Sequence, residues 1–146
     1  MKVARPVRAG GSGKRNSGNA VTASRADRTG TAVDGALQEA REQFEVNVFG
    51  AARLTQLVLP HMRAQRSGTI VNITSVGGRM CTSLGAWYHA TKYALEALSD
   101  CLRMELKPFG IDVVVIEPGG VKSEWGGIAA QKARAVSGTG PYTPQA

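Results

Sequence analysis

The spacing of apolar residues from Ala36 to about Gln65 predicts a long amphipathic helix. Apolar or small side chains recur there every three or four residues, as they do along one face of a helix with 3.6 residues per turn. The recurring positions are Phe44, Val48, Ala51, Thr55 and Leu59. The dipeptide Ser67-Gly68 comes next, and we expect the helix to end there.

A second amphipathic helix is predicted from about Ala86 to Lys107, and Pro108 and Gly110 are expected to end it. One side of this helix is expected to pack into the core and the other to face water. The expected buried stripe consists of Ala90, Ala94, Ala97, Cys101 and Leu102. The expected water-facing side chains are Glu96, Asp100, Arg103 and Lys107.

Two short runs of β-branched residues predict buried strands, one over residues 69–75 (TIVNITS) and one over residues 111–116 (IDVVVI). Because a helix joins them, they are expected to pair in parallel through a right-handed crossover, in an α/β fold. Parallel sheets are usually larger and covered on both faces, so this helix–strand–helix–strand order predicts part of a doubly wound sheet. Ligands of such sheets bind at the carboxyl ends of the strands, here at Thr74-Ser75 and Glu117-Pro118-Gly119.

No regular element is predicted before residue 35 or after Gly120. Residues 1–34 are rich in Gly, Ser and Arg and lack periodicity, which favours a disordered basic leader. An organellar transit peptide is the alternative, since acidic residues are also scarce there. Residues 35–127 are expected to form the domain, and residues 128–146 a flexible C-terminal segment.

The net charge of +7 does not indicate a nucleic-acid-binding surface. Residues 1–30 hold seven basic side chains and one acidic one, whereas the rest of the chain holds eleven and ten. The body is thus nearly neutral, and the leader lacks the interleaved aromatic residues of a nucleic-acid-binding segment. No run of 18 apolar residues is present, so no membrane span is expected. Cys81 and Cys101 have neither metal-type nor redox spacing, which favours free thiols in a cytoplasmic protein without a metal.

Tyr88 and Lys92 stand four residues apart near the start of the second helix and therefore share one face. A tyrosine exchanges protons near neutral pH only if its pKa of about 10 is lowered, and a change to about 7 requires about 4 kcal/mol. A lysine charge about 6 Å away contributes roughly 2.8 kcal/mol at an effective dielectric constant of about 20. Such a pair can act as a general acid and base, although it also occurs as an ordinary surface pair on amphipathic helices.

Ser75 precedes Tyr88 by thirteen residues and lies at the carboxyl end of the first predicted strand. Its hydroxyl is placed to polarise a carbonyl group while Tyr88 transfers the proton. A turn serine at the end of a strand is the alternative. The G-x-S-x-G pattern of a serine hydrolase is absent around Ser75.

Four segments resemble consecutive signatures of the short-chain dehydrogenase/reductase family. They are residues 47–50 (NVFG), 70–75 (IVNITS), 88–92 (YHATK) and 117–119 (EPG). They occur in the order and at the spacing of the family, and the resemblance covers about residues 36–127. It implies a Rossmann-like fold and an NAD(P)-dependent oxidoreductase that interconverts an alcohol and a carbonyl compound by hydride transfer.

The resemblance implies a role for each matched residue. Tyr88 is expected to be the catalytic acid and base, and Lys92 to tune it and to hydrogen-bond the nicotinamide ribose. Ser75 is expected to orient the substrate, and Asn47 to support a proton relay through water to Lys92. The residues expected to bind NAD or NADP are Tyr88, Lys92, Pro118, Gly119, Val121 and Ser123.

The resemblance also implies a small-molecule substrate and a homo-oligomer that associates through the two long helices. From the residues alone, Phe44, Phe49 and the alanine stripe fit a core within one chain equally well. Leu84, Trp87 and Trp125 favour an apolar substrate.

The glycine-rich cofactor-binding turn of the family is not recognisable in this sequence. That turn follows a strand and opens a helix, whereas Gly10–Gly13 and Thr29-Gly30 follow no predicted strand. We therefore expect an incomplete copy of the family domain, in which the residues that distinguish NAD from NADP are missing. Two hypotheses are left, an oxidoreductase and a truncated, non-catalytic remnant or interaction fragment of one.

Overall fold

The computed structural model describes residue 32 and residues 35–146. Apart from Ala32, the predicted leader lies outside the described residues. The helices are α1 (Leu37–Phe44), α2 (Ala51–Gln65), α3 (Ala86–Leu106) and α4 (Trp125–Ser137). The strands are β1 (Gly68–Ile73) and β2 (Ile111–Ile116), and short 3₁₀ turns cover Val76–Gly78, Lys107–Phe109 and Thr143–Gln145.

The two strands pair in parallel, with Gly68 opposite Ile111 and Ile73 opposite Ile116. This confirms the predicted α/β fold and the parallel pair joined through α3. Strand β1 ends two residues earlier than predicted, but the backbone pairing continues beyond it. The Thr74 amide donates to the Ile116 carbonyl at 2.8 Å and the Val76 amide to the Pro118 carbonyl at 3.1 Å. The two strand ends are therefore held side by side as far as Pro118.

The predicted first helix is confirmed, but it contains a π-helical turn that the periodicity does not reveal. This turn, Glu45–Gly50, joins α1 to α2 without a break. The predicted helix end at Gln65 is confirmed, but the residue that ends the helix is Arg66, one position before Ser67-Gly68, in the left-handed conformation with φ 52°. At Gly68, a Cβ would lie 2.8 Å from the Met62 side chain, so a larger residue there would require Met62 to shift.

The core lies on one face of the sheet. Leu59 of α2 and Leu106 of α3 pack there against Ile70, Ile111 and Val113. Both long helices therefore cover the same face. The opposite face is exposed in the part of the chain that the structure describes, and it carries Val71, Ile73, Val114 and Ile116.

The buried stripe predicted for α3 is wrong at two of its five positions, because Ala97 and Cys101 are exposed. The other three, Ala90, Ala94 and Leu102, are half-buried. The buried side chains of the helix include Leu95, Ser99 and Leu106. Asn72 of β1 explains the difference, because its side-chain amide is buried and donates to the Ser99 hydroxyl at 2.8 Å. A buried amide must be hydrogen-bonded, so the helix presents a serine to the strand where apolarity alone would place an alanine.

The prediction that no regular element follows Gly120 is also wrong, because helix α4 occupies Trp125–Ser137. The Ser123 hydroxyl accepts a hydrogen bond from the Trp125 amide at 3.4 Å at its start, and Ala129 and Ala133 are buried. The flexibility expected for residues 128–146 stays a prediction. Within the described residues, no helix is both long and apolar enough to cross a membrane.

Candidate active site

A cleft of about 740 Å³ opens at the carboxyl ends of the two strands. The loop after β1, the first turns of α3 and one face of α4 form its walls. Seven of the eight predicted site residues line this cleft, and they are Ser75, Tyr88, Lys92, Pro118, Gly119, Val121 and Ser123. The position is the one that the strand order predicts for a ligand site in a parallel sheet.

Ser75 is buried, and the paired strand ends hold it beside Pro118. Its hydroxyl accepts a hydrogen bond from the Gly77 amide at 3.0 Å and donates to the Pro118 carbonyl at 3.5 Å. The bond from Gly77 is short and the one to Pro118 is long. A substrate oxygen in the cleft can therefore compete for the hydroxyl proton, because the weaker bond is the one that it would replace.

Tyr88 and Lys92 occupy the first turns of α3 and point to the same side of the cleft. The Lys92 Nζ lies 5.8 Å from the centre of the Tyr88 ring and donates to the Ile73 carbonyl at 3.4 Å. Trp125 of α4 also contacts this ring, with 5.4 Å between the ring centroids. The tyrosine therefore has both a cation and an aromatic ring as neighbours.

Asn47 lies outside the main cleft. It sits in the π-helical turn, and its side-chain amide donates to the Thr91 hydroxyl at 3.1 Å. It lines a second cavity of about 410 Å³, and Lys92 lines this cavity as well. Lys92 therefore lines both cavities, the first together with Tyr88 and the second together with Asn47.

The roles of two residues beside the strand ends, Arg79 and Glu96, were not predicted from the sequence. Glu96 was expected to face water, but it is only 4% exposed. Its carboxylate accepts hydrogen bonds from the Thr74 hydroxyl and from the Arg79 guanidinium, the latter at 3.1 Å. Arg79 also donates to Glu117 at 3.1 Å. Glu117 and Glu96 together hold the pKa of Arg79 above its usual value.

The Arg79 cluster connects α3 to the ends of both strands, next to Ser75 and Pro118. The sequence signal for this cluster would have been a charged residue, Glu96, on the core-facing side of α3. The sequence pattern does not distinguish Glu96 from the water-facing charges of α3, because its hydrogen-bond partners are distant in the chain.

We expect Glu96→Ala to lower the free energy of unfolding by about 2 kcal/mol, because two hydrogen bonds to a buried carboxylate are lost. Asp100→Ala is the matched control on the same helix, and it removes an exposed ion pair with Arg103. That change should cost roughly 0.5 kcal/mol or less. Urea unfolding of both variants measures the difference. Equal losses in the two variants would show that the Glu96 cluster adds no stability.

Comparison with known protein families shows which family the chain resembles. The sequence profile of the family described as short chain dehydrogenase matches residues 18–133. The chain belongs to the short-chain dehydrogenase/reductase family. The match begins within residues 1–34, which the sequence predicts to be a leader, and it ends within α4.

Individual relatives agree with the short-chain dehydrogenase/reductase assignment. The chain is 44% identical over 96 residues to the probable short-chain type dehydrogenase/reductase VdlC of Helicobacter pylori, covering 66% of this chain and 35% of that protein. It is 40% identical over 111 residues to the NADPH-dependent 3-dehydrocapnine reductase of Ornithobacterium rhinotracheale, covering 73% and 37%.

The solved structure of a short-chain dehydrogenase from Streptomyces avermitilis is also similar. It has a TM-score of 0.64 at 45% identity, over 66% of this chain and 35% of that one. These matches confirm the Rossmann-like α/β class. The chain spans about a third of the length of the curated relatives that it matches.

Proposed function

We propose that this short-chain dehydrogenase/reductase chain supplies the catalytic residues of an NAD(P)-dependent oxidoreductase that interconverts an alcohol and a carbonyl compound. The observation that carries the proposal is the convergence of Ser75, Tyr88 and Lys92 on one cleft at the end of β1. Sequence spacing alone leaves Tyr88 and Lys92 open to interpretation as a surface pair. Their shared position opposite Ser75 favours a catalytic role.

In the proposed reaction Tyr88 transfers the proton. Its hydroxyl gives a proton to the substrate oxygen in reduction and takes it back in oxidation. The Ser75 hydroxyl donates a hydrogen bond to the same substrate oxygen and orients it. The Lys92 ammonium group favours the anionic form that Tyr88 passes through, because opposite charges attract strongly in a partly desolvated cleft.

Asn47 is proposed to support resupply of the proton. It lines the second cavity together with Lys92, and Tyr88 is not among the residues that line that cavity. A hydrogen-bonded water in that cavity would connect the Lys92 ammonium group to the exterior. Asn47 would then act without touching the substrate, through its hydrogen bond to Thr91 and its position in the lining of the second cavity.

The cleft fits the nicotinamide end of the cofactor. Its volume lies within the range of about 300–1,000 Å³ that is usual for small-molecule sites. Its wall beyond β2 is open, since a Cβ at Gly120 would meet no atom within 4 Å. The residues that would hold the group are Tyr88, Lys92, Pro118, Gly119, Val121 and Ser123. When bound, a nicotinamide provides or accepts the hydride, which protein side chains cannot do.

The substrate is proposed to be neutral and mainly apolar. Leu84 and Trp125 line the cleft as the sequence led us to expect, together with Met80 and Val121, whereas Trp87 is not among the lining residues. None of the lining residues carries a carboxylate or guanidinium side chain that would select a charged substrate. The relative from Ornithobacterium rhinotracheale is NADPH-dependent by name. That name supports NADPH as the first cofactor to try.

Association through the two long helices is also a proposal. Phe49 is 55% exposed, which favours a role in contact with another subunit over a place in the core. Leu54 and Leu57 of α2 are exposed as well.

The direct test is turnover of the full-length protein with NADPH and with NADH. The carbonyl substrates are ketones with alkyl chains of increasing length, and matched ketones that end in a carboxylate serve as controls. We expect oxidation of the nucleotide with the apolar series and slower turnover of the carboxylates. An absence of turnover with either nucleotide across the panel would favour the non-catalytic alternative.

A further inference from the structure

The loop between β1 and α3 is hydrogen-bonded to the imidazole ring of His89 at two points. His89, on the first turn of α3, is 8% exposed and lies next to Tyr88, with 5.6 Å between the ring centroids. Its Nε2 accepts a hydrogen bond from the Thr82 amide at 3.0 Å, and the Thr82 hydroxyl lies 3.0 Å from the same atom. Its Nδ1 lies 2.8 Å from the Gly77 carbonyl oxygen.

These bonds are compatible with a single protonation state of His89. A backbone amide can only donate, so Nε2 must be the acceptor and carries no proton. A carbonyl oxygen can only accept, so Nδ1 must carry the proton and donate it to Gly77. The ring is therefore neutral, with its proton on Nδ1. A second proton would place two donors, Nε2 and the Thr82 amide, against each other.

The two ends of the loop are also packed against the ring. A Cβ at Gly77 would lie 3.1 Å from Nδ1, and a Cβ at Gly85 would lie 2.7 Å from Nε2. Only glycine at Gly85 allows this approach. The imidazole therefore contacts both ends of the segment Gly77–Gly85 and bonds its middle at Thr82.

The segment Gly77–Gly85 forms one wall of the cleft and holds a strained residue. Met80 and Leu84 from this segment line the cleft. Leu84 has φ 62°, a left-handed conformation that a branched side chain rarely adopts and that surrounding contacts must maintain. Release of the segment from His89 would let Leu84 relax and would move the apolar wall.

We propose that His89 is a positioning residue that holds the segment Gly77–Gly85 against the cleft while neutral and releases it when protonated. Because the Thr82 bond requires the neutral ring, the closed segment is favoured at higher pH. The closed state is lost as the pH falls. The effect on substrate binding rests on the oxidoreductase function proposed above, whereas the effect on the segment itself does not.

The surroundings of His89 offer nothing to compensate a positive charge. The titratable side chains in the segment and within one turn of His89 on α3 are Arg79, Cys81, Tyr88, Lys92 and Tyr93. None of these is a carboxylate. The two nearby carboxylates, Glu96 and Glu117, are paired with Arg79. Both ring nitrogens bond uncharged groups.

Hydrogen exchange of the loop amides in the full-length protein tests the proposal. We expect the protection factor of the Thr82 amide to fall roughly tenfold between about pH 8 and about pH 5, which corresponds to the loss of one hydrogen bond. Protection of the β1 amides should stay constant over this range and serves as the internal control for global unfolding. Constant protection of Thr82 across the range would overturn the proposal.

Two variants separate the charge of His89 from its shape. In His89→Gln the amide nitrogen can donate to Gly77 and the amide oxygen can accept from Thr82, but the side chain cannot gain a proton. We expect loop protection that no longer depends on pH. In His89→Ala we expect low protection at every pH. A pH dependence that persists in His89→Gln would overturn the proposal, and should His89→Ala fail to fold, the comparison of wild type with His89→Gln decides alone.

Steady-state kinetics then connect the segment to the cleft. In the wild type we expect KM for an apolar ketone to rise several-fold at the acidic end while kcat changes little, because His89 lines the cleft but has no part in the proton transfer proposed for Tyr88. His89→Gln should abolish this rise. If the loop amides respond to pH as expected and no turnover is found, the proposal that His89 holds the segment is supported and the oxidoreductase proposal fails. If turnover is found with a KM that is independent of pH, the link between His89 and the cleft fails.

Discussion

Turnover by Tyr88→Phe is expected to fall by roughly a hundredfold to ten-thousandfold, the range that a general acid contributes. The substitution removes the hydroxyl proton and leaves the ring in contact with Trp125 and Lys92. Nucleotide affinity should change little, because the aromatic packing that shapes the cleft is retained. The two effects therefore separate proton transfer from binding.

The measurement is kcat with the best ketone, together with the nucleotide dissociation constant from fluorescence titration. Tyr93→Phe is the matched control, since Tyr93 lies on the same helix but is exposed and is not among the residues that line the cleft. That variant should keep the turnover of the wild type. Normal turnover by Tyr88→Phe would refute the assignment of Tyr88 as the acid and base.

Lys92→Ala should weaken both nucleotide binding and turnover, because one ammonium group is proposed to serve both. A charge about 6 Å from the tyrosine contributes roughly 2.8 kcal/mol, so we expect a loss in turnover of about a hundredfold. The conservative change Lys92→Arg keeps the charge and should recover part of the activity. Full recovery is not expected, since the planar guanidinium group cannot reproduce the bond to the Ile73 carbonyl in the same position.

Lys107→Ala is the control for Lys92→Ala, because Lys107 is an exposed lysine just beyond the end of α3. It should bind the nucleotide and turn over substrate as the wild type does. Nucleotide affinity that is unchanged in Lys92→Ala would contradict the proposed contact with the ribose. Turnover that is unchanged as well would leave Lys92 without a catalytic role.

Local periodicity and motif spacing were sufficient to predict the scaffold of this protein. The two long helices and strand β2 lie within one or two residues of the predicted bounds, because each is encoded by the residues that it contains. The parallel pairing follows from the helix between the strands. The carboxyl ends of parallel strands share one edge of the sheet, so Ser75 and Pro118 could be placed at a common site without a structure.

Contacts between residues distant in the chain determined the features of the fold and of the site that the sequence did not predict. The rotation of α3 about its axis depends on the bond between Asn72 and Ser99, and the burial of Glu96 depends on Thr74 and Arg79. Apolar periodicity misjudges both, because a buried polar side chain is tolerated wherever a partner meets it. Helix α4 was missed because two glycines follow Trp125 and weaken its helical pattern, while burial of Ala129 and Ala133 stabilises it in the folded chain. The separation of Asn47 from the cleft and the wrapping of the loop around His89 likewise arise from packing between elements, which no local pattern encodes.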